Sequence, residues 1–206
     1  AISHDNAVYS IQIAENMSQA TGLSASFMES YNVISNLSYM TDVSEDEINT
    51  FLIMSNDTTH EPMLLQEPEY TPTAILDNRE YDEENTERFT VDGKTLNMTT
   101  AFQMSHYHTN MAAMIQLGKW FDYLRENDIY DNTRIILVSD HGRDLANINE
   151  LIMNIGSVSI DVESYYPLLM VKDFDSEEFV TSHEFMTNAD VPTLAVTGLI
   201  NDPRNP

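Results

Sequence analysis

The sequence predicts an α/β fold in which a mainly parallel sheet lies between helices. Two observations predict it. Three short runs, at 50–55, 134–139 and 167–172, are continuously apolar rather than alternating, the pattern of strands covered on both faces. Between the first two lies a long stretch, 99–126, with Met104, Tyr107, Met111, Met114, Gly118 and Phe121 at spacings of three and four, which predicts an amphipathic helix with that apolar face. Strand, helix, strand is a βαβ unit, with a right-handed crossover.

The remaining elements follow in order. Helices are expected near 6–19, 24–39 and 185–199. In the last, Pro192 suits a first helical turn, with Asp190 or Asn188 as its cap. The acidic run 42–47 reads as a turn into the first strand. Residues 61–98 form a long acidic insertion, inside which 88–96 reads as a hairpin turning at Asp92-Gly93. A connection that long suits the wall or lid of a site. The organisation expected is one domain over 1–206: a helical lead-in (1–49), a strand and site loop (50–60), the insertion (61–98), and a helix-strand-strand-helix core (99–200).

Composition narrows the partners. The 206 residues carry 34 acidic and 9 basic side chains, a formal net charge of −25, and no cysteine. Such a charge argues against a nucleic-acid backbone or an anionic lipid surface as partner. Without cysteine there is no disulfide, thiolate metal site or thiol nucleophile. No run of about 18 apolar residues occurs, so no transmembrane helix is expected within these limits. The start lacks the features of a signal peptide, and both ends read as cut from something longer.

The chemistry-bearing residues follow the apolar runs. The run at 134–139 leads into Asp140-His141-Gly142-Arg143-Asp144, and α/β folds place ligands at the carboxyl ends of parallel strands. A carboxylate beside an imidazole offers an oxygen and a nitrogen donor, and Gly142 lets the chain turn sharply beyond them. The pair suits a divalent cation, zinc or manganese better than calcium or magnesium; the alternative is a solvated Asp-His turn. The run at 50–55 leads into Asn56-Asp57-Thr58-Thr59-His60. In a parallel sheet His60 would reach the same edge, to hydrogen-bond an anionic oxygen or protonate a leaving group; the alternative is a histidine closing a turn. On the long helix, His106 and His108 are about 200° apart and cannot share one site. His106 is the better site candidate, and His108 reads as packing. Asn56, His106 and Arg143 are the candidate substrate contacts, with Arg143 equally able to pair with Asp144. His4 and His183 read as surface residues. No Gly-x-Ser-x-Gly elbow or Walker loop occurs.

These blocks together resemble the sulfatase-like branch of the alkaline phosphatase superfamily, especially bacterial membrane-anchored sulfatase-like proteins related to lipoteichoic acid synthase. The likeness rests on 51–62, ending Asn56-Asp57-Thr58-Thr59-His60-Glu61-Pro62; on 130–142, ending Ser139-Asp140-His141-Gly142; and on 185–194, with Asp190-Val191-Pro192-Thr193-Leu194. It implies a three-layer α/β/α sandwich, with Asp140 and His141 as ligands of a divalent metal (Zn, Mn or Ca) and His60 facing the phosphate or sulfate. It implies hydrolysis or transfer of phosphoric or sulfuric esters of small molecules, glycans or lipids by a Thr, Ser or formylglycine nucleophile beside the metal, at the extracytoplasmic face of a bacterial membrane. The family's first metal-ligating strand and nucleophile are not recognisable here. The chain therefore reads as the C-terminal portion of such an enzyme, inactive alone, or as a non-catalytic binding or scaffold relative. The third reading is a plain acidic α/β domain.

Overall fold

The computed structural model describes residues 19–45 and 49–201. The helix expected over 6–19 lies outside them, apart from Gln19, which opens a strand. Part of the 42–47 turn and His4 lie outside them as well. The described chain has helices and strands together, in two compact units. One comprises residues up to Tyr123 with Leu145–Asn149; the other comprises Leu124–Asp144 and the residues from Glu150 on.

In the first unit, β1 (Gln19–Thr21) pairs antiparallel with β2 (Ile75–Asp77). Helix α1 (Ala25–Ser35) starts at Ser24, whose Oγ accepts from Phe27 N at 3.3 Å, a side-chain N-cap. It buries Phe27, Tyr31 and Ile34 at helical spacing. Asn36 separates it from the single turn α2 (Leu37–Met40), so the helix predicted over 24–39 is split in two. Helix α3 (Arg79–Glu84) lies in the acidic insertion. The expected hairpin follows as β3 (Thr90–Val91) and β4 (Lys94–Thr95). Its turn residues have φ of 51° at Asp92 and 76° at Gly93, the primed-turn geometry that an Asp-Gly pair adopts most readily.

The long helix α4 (Ala101–Glu126) forms as predicted, but on a different face. Met104 is buried, whereas Met114 is exposed. The buried stripe is Ser105, His108, Thr109, Ala112 and Gln116, with Ala113 and Leu117 alongside. Three of its polar members make side-chain hydrogen bonds: Ser105 Oγ donates to Phe102 O, Thr109 Oγ1 to His106 O (both 3.1 Å), and Gln116 Nε2 to the Tyr31 hydroxyl at 3.1 Å. Small residues with satisfied polar groups bury without the cost of an unpaired donor. A search for large apolar side chains finds the wrong face. Near the end of the unit, Trp120 Nε1 donates to Thr41 Oγ1 at 2.9 Å.

The predicted strand at 50–55 does not form. Residues 49–57 have no regular structure, and Phe51, Leu52 and Ile53 are exposed, Ile53 to 82%. No βαβ unit is therefore made with α4. The apolar sequence has strand character, but nothing among the described residues pairs with it or covers it.

In the second unit, the other two runs do become strands, β5 (Ile135–Val138) and, later, β8 (Leu169–Lys172). They pair antiparallel, Ile136 opposite Val171 and Leu137 opposite Met170, not parallel as buried runs predict. Nor are both faces covered: Val138, Met170 and Val171 are exposed. Between them lies a hairpin that the apolar runs did not announce, β6 (Ile152–Ile155) and β7 (Val158–Asp161), turning at Gly156 with φ 64°. Arg134 holds the start of β5. Its guanidinium bonds Asp173 at 2.8–2.9 Å and donates to the carbonyls of Leu194, Ala195 and Thr197 at 2.7–3.2 Å, the C-terminal end of α5 (Val191–Val196). A cation there also complements the helix dipole. As predicted, Pro192 lies in the first turn of α5, with Asp190 at the cap position. The helix is far shorter than the span 185–199.

Candidate functional site

The second unit carries a cleft of about 340 Å³ at the end of β5, lined by Asp140, His141, Ser164, Tyr165, Pro167, Phe185, Met186, Thr187 and Asn188. Three anchors build it. Ser139 N donates to Leu168 O at 3.0 Å, and Leu168 N to Ser139 Oγ at 2.7 Å, extending the β5–β8 ladder to the cleft. Asn188 Nδ2 donates to Ser139 O and Asp140 O, at 3.1 and 3.0 Å. Gly142 N donates to Ser164 O at 3.1 Å. The Asn188 bonds join the Asp140-His141-Gly142 block to the block beginning at Phe185, two segments far apart in sequence.

Gly142 is needed for closeness, not for a sharp turn. Its φ is not in the left-handed region. A Cβ there would stand 1.9 Å from Glu163 O and 2.8 Å from Tyr166 O, so only glycine lets the 3-10 turn Val162–Tyr165 approach the strand end.

The metal-type pair is ordered by the backbone. His141 N donates to Asp140 Oδ1 at 2.9 Å, and the ring Nδ1 lies 2.6 Å from Gly142 O. A carbonyl only accepts, so Nδ1 carries the ring proton and, in the neutral ring, Nε2 presents its lone pair. That Nε2 lies 3.5 Å from Asp140 Oδ2. Two lone-pair donors face each other favourably only with a positive centre between them, either a proton on Nε2 or a cation. A tetrahedral first-row cation holds two such donors about 3.4 Å apart, and a ligating histidine usually donates its other ring N–H to an acceptor such as a backbone carbonyl. The pair fits a divalent cation on both counts. Among the described residues no group of three or more His, Asp or Glu side chains stands ready for a metal, so this chain's described part offers a cation two ligands.

The other predicted residues lie elsewhere. Arg143 is in the second unit with Nε 3.7 Å from Asp144 Oδ1, an exposed pair. His60, Asn56 and His106 belong to the first unit. His60 is exposed, its ring Nδ1 3.6 Å from Glu61 Oε1. Asn56 locks its own turn: Oδ1 accepts from Thr58 N at 3.1 Å and Thr58 Oγ1 at 2.6 Å, while Nδ2 donates to Ser30 O at 2.9 Å. His106 is buried, edge-on to Phe102 at 4.6 Å between ring centres. Sequence does not single out Ser164, Tyr165 and Thr187, and it offers Asn188 only as a helix cap. The aromatic pair Tyr165-Tyr166 and the capping pattern Thr187…Asp190 are the available signals.

The first unit holds a second polar cluster. The Glu67 side chain is wholly buried and accepts from Arg88 Nε at 2.8 Å, Arg88 Nη2 at 3.0 Å and the Tyr70 hydroxyl at 3.0 Å. Arg88 also bonds Asp82, and its guanidinium lies 4.1 Å from the Phe89 ring centre. His108 Nδ1 accepts from Leu65 N at 2.9 Å, which turns Nε2 toward Glu67 Oε2 at 3.6 Å. Burial alone would raise the Glu67 carboxyl; the His108 ring and the Arg88 guanidinium more than offset it and hold it below the usual carboxylate range. Burial, together with the Glu67 charge, pushes the Tyr70 hydroxyl up. Every strong partner is internal, which makes the cluster a structural tie between the insertion and α4.

The chain matches no family model, and no curated protein or solved structure matches it.

Proposed function

We propose that the cleft at the end of β5 is part of a metal-dependent site for phosphoric or sulfuric esters, with Asp140 and His141 as this chain's two ligands. The observation that carries the reading is the His141 Nε2 lone pair facing Asp140 Oδ2 at 3.5 Å, with the Nδ1 proton held by Gly142 O. A divalent cation there, zinc, manganese or calcium, would supply Lewis acidity to the ester oxygens and lower the pKa of a bound nucleophile. Asp140 and His141 hold it, and Asn188 fixes the strand end that presents them. In this reading Arg143 assists in orienting the substrate's oxyanion, and the nucleophile and remaining ligands come from outside the described residues. The complete fold would be the three-layer, mainly parallel sandwich of the sulfatase-like proteins, held at the outer face of a bacterial membrane. The exposed side chains of Val138, Met170 and Val171 support a further layer over the β5–β8 pair.

The test is manganese or zinc binding by equilibrium dialysis. Wild-type chain should bind one cation, and Asp140→Ala and His141→Ala should each weaken it at least tenfold. Metal content unchanged in both variants would refute the site. Turnover of a generic phosphodiester by a longer chain that includes this one separates an enzyme from a scaffold relative that binds the ester and leaves it intact.

A further inference from the structure

We infer that the cleft beside Asp140 and His141 is a carbohydrate subsite, in which Tyr165 and Phe185 pack on a sugar ring and Ser164, Thr187 and Asn188 accept from its hydroxyls. The inference deepens the ester-site reading and rests on it for where the reacting group lies, but not for the ring.

Two observations carry it. The first is the exposure of the aromatic rings that line one cleft: Phe185 is 93% exposed and Tyr165 is 73% exposed. Neither ring contributes much to the core, yet the backbone beside each is fixed. Tyr165 sits on the turn held by Gly142 N to Ser164 O, and Phe185 lies two residues before Thr187, whose N donates to Asp190 Oδ2 at 2.7 Å. Exposed, pre-positioned aromatic faces are suited to an apolar ligand face. The C–H face of a pyranose is one.

The second observation selects a sugar over a plain aromatic ring. Three of the polar side chains of the cleft, Ser164, Thr187 and Asn188, have their protons engaged within the protein. The Ser164 hydroxyl donates to Asp161 O at 2.9 Å, and the Thr187 hydroxyl donates to Asp190 Oδ2 at 3.1 Å. Both Asn188 amide hydrogens go to Ser139 O and Asp140 O. What these groups can still offer a ligand is oxygen lone pairs, and Asp140 adds carboxylate oxygens. An acceptor-rich wall favours a ligand that brings hydroxyl donors. It disfavours a second anionic group, so the ester's charge belongs at the His141 end and the neutral polyol ring belongs against the aromatic wall.

The experiment uses an uncharged probe, methyl β-D-glucopyranoside, with saturation-transfer NMR on the full chain. Wild type should transfer magnetisation to the ring C–H protons. Tyr165→Ala/Phe185→Ala should cut the transfer at least fivefold, with the circular dichroism spectrum unchanged because both rings are exposed. His141→Ala, which tests the metal reading, should retain most of the transfer, so the two readings fail separately. The inference is overturned by no transfer in wild type, by equal transfer in the double aromatic variant, or by 4-nitrophenol giving stronger transfer than the glycoside at equal concentration.

Discussion

Replacing Arg88 with alanine should be the most damaging single change available in the first unit. The side chain is removed from a site where Glu67 stays behind, wholly buried, without its two guanidinium bonds. The bonds to Asp82 and to Asn85 O and the packing on Phe89 go as well. Truncating one partner of a buried, hydrogen-bonded ion pair costs about 3–5 kcal/mol, mainly because the other charge is left uncompensated. With a urea m-value of about 1–3 kcal/mol/M, the midpoint should fall by at least about 1 M. The single tryptophan makes the assay specific, since Trp120 bonds Thr41 inside the first unit. The pH dependence gives a second check. The Glu67 carboxyl is depressed in the folded chain, so its stabilisation is full above the unfolded value of about 4.3 and is lost as pH falls through the lower folded value. Removing Arg88 takes away its share of that depression and leaves the share from His108, so the variant's deficit should be largest at pH 7 and shrink toward pH 4. Glu67→Gln should cost less, because Arg88 keeps Asp82. A loss below about 1 kcal/mol at pH 7, or an equal loss at pH 7 and pH 4, would refute the reasoning.

Three further outcomes follow from the second unit. Gly142→Ala puts a methyl 1.9 Å from Glu163 O; overpacking of this kind costs about 1–3 kcal/mol, so the 162–165 turn should detach, read as faster hydrogen exchange at residue 142, whose amide now bonds Ser164 O. Arg134→Ala removes the Asp173 pair and three carbonyl bonds at the end of α5, a loss of about 2–3 kcal/mol for bonds to a charged group. Exchange of the Thr197 amide, which bonds Thr193 O, should accelerate accordingly. An anionic ester should bind more tightly as salt rises from 0.01 to 0.15 M, because screening shortens from about 30 Å to about 8 Å and the chain's own charge of −25 opposes the ligand; affinity that falls with salt would point to a basic site instead.

The elements with local causes were legible in the sequence. The Asp92-Gly93 hairpin needs only a turn that tolerates positive φ, and α4 needs only length and helix-forming residues. Strands β5 and β8 were legible as strands but not in their direction, because a continuous apolar run states that a strand wants cover and not which neighbour it pairs with. The run at 51–54 shows the same limit more sharply: strand-forming side chains make no strand where no partner backbone is paired with them. The buried face of α4 was illegible to hydrophobic spacing because Ser105, Thr109 and Gln116 enter the core with their hydrogen bonds already made. At the candidate site, Asp140 and His141 were readable from their position after β5. The Asn188 clasp and the Tyr165 and Phe185 rings were not, since they depend on which distant segments meet the strand end.

The net charge reads differently once the cleft is known. Asp140 is the one carboxylate among the residues lining it. Two neighbouring acids are engaged within the protein: Asp190 accepts from Thr187 N and Oγ1, and Asp161 Oδ1 accepts from Glu163 N at 3.0 Å. Acids also gather in the first unit, in the groove lined by Asp77, Glu80 and Glu83 with Arg79, where Asp77 accepts from Arg79 N and its guanidinium. An anionic ester approaching the cleft therefore meets long-range repulsion from the chain as a whole, and at close range a single carboxylate that a cation would neutralise. Recognition in such a field has to come from contacts that carry no charge. Aromatic faces and hydroxyl-accepting oxygens are contacts of that kind, and the cleft combines them with a carboxylate–imidazole pair at one end.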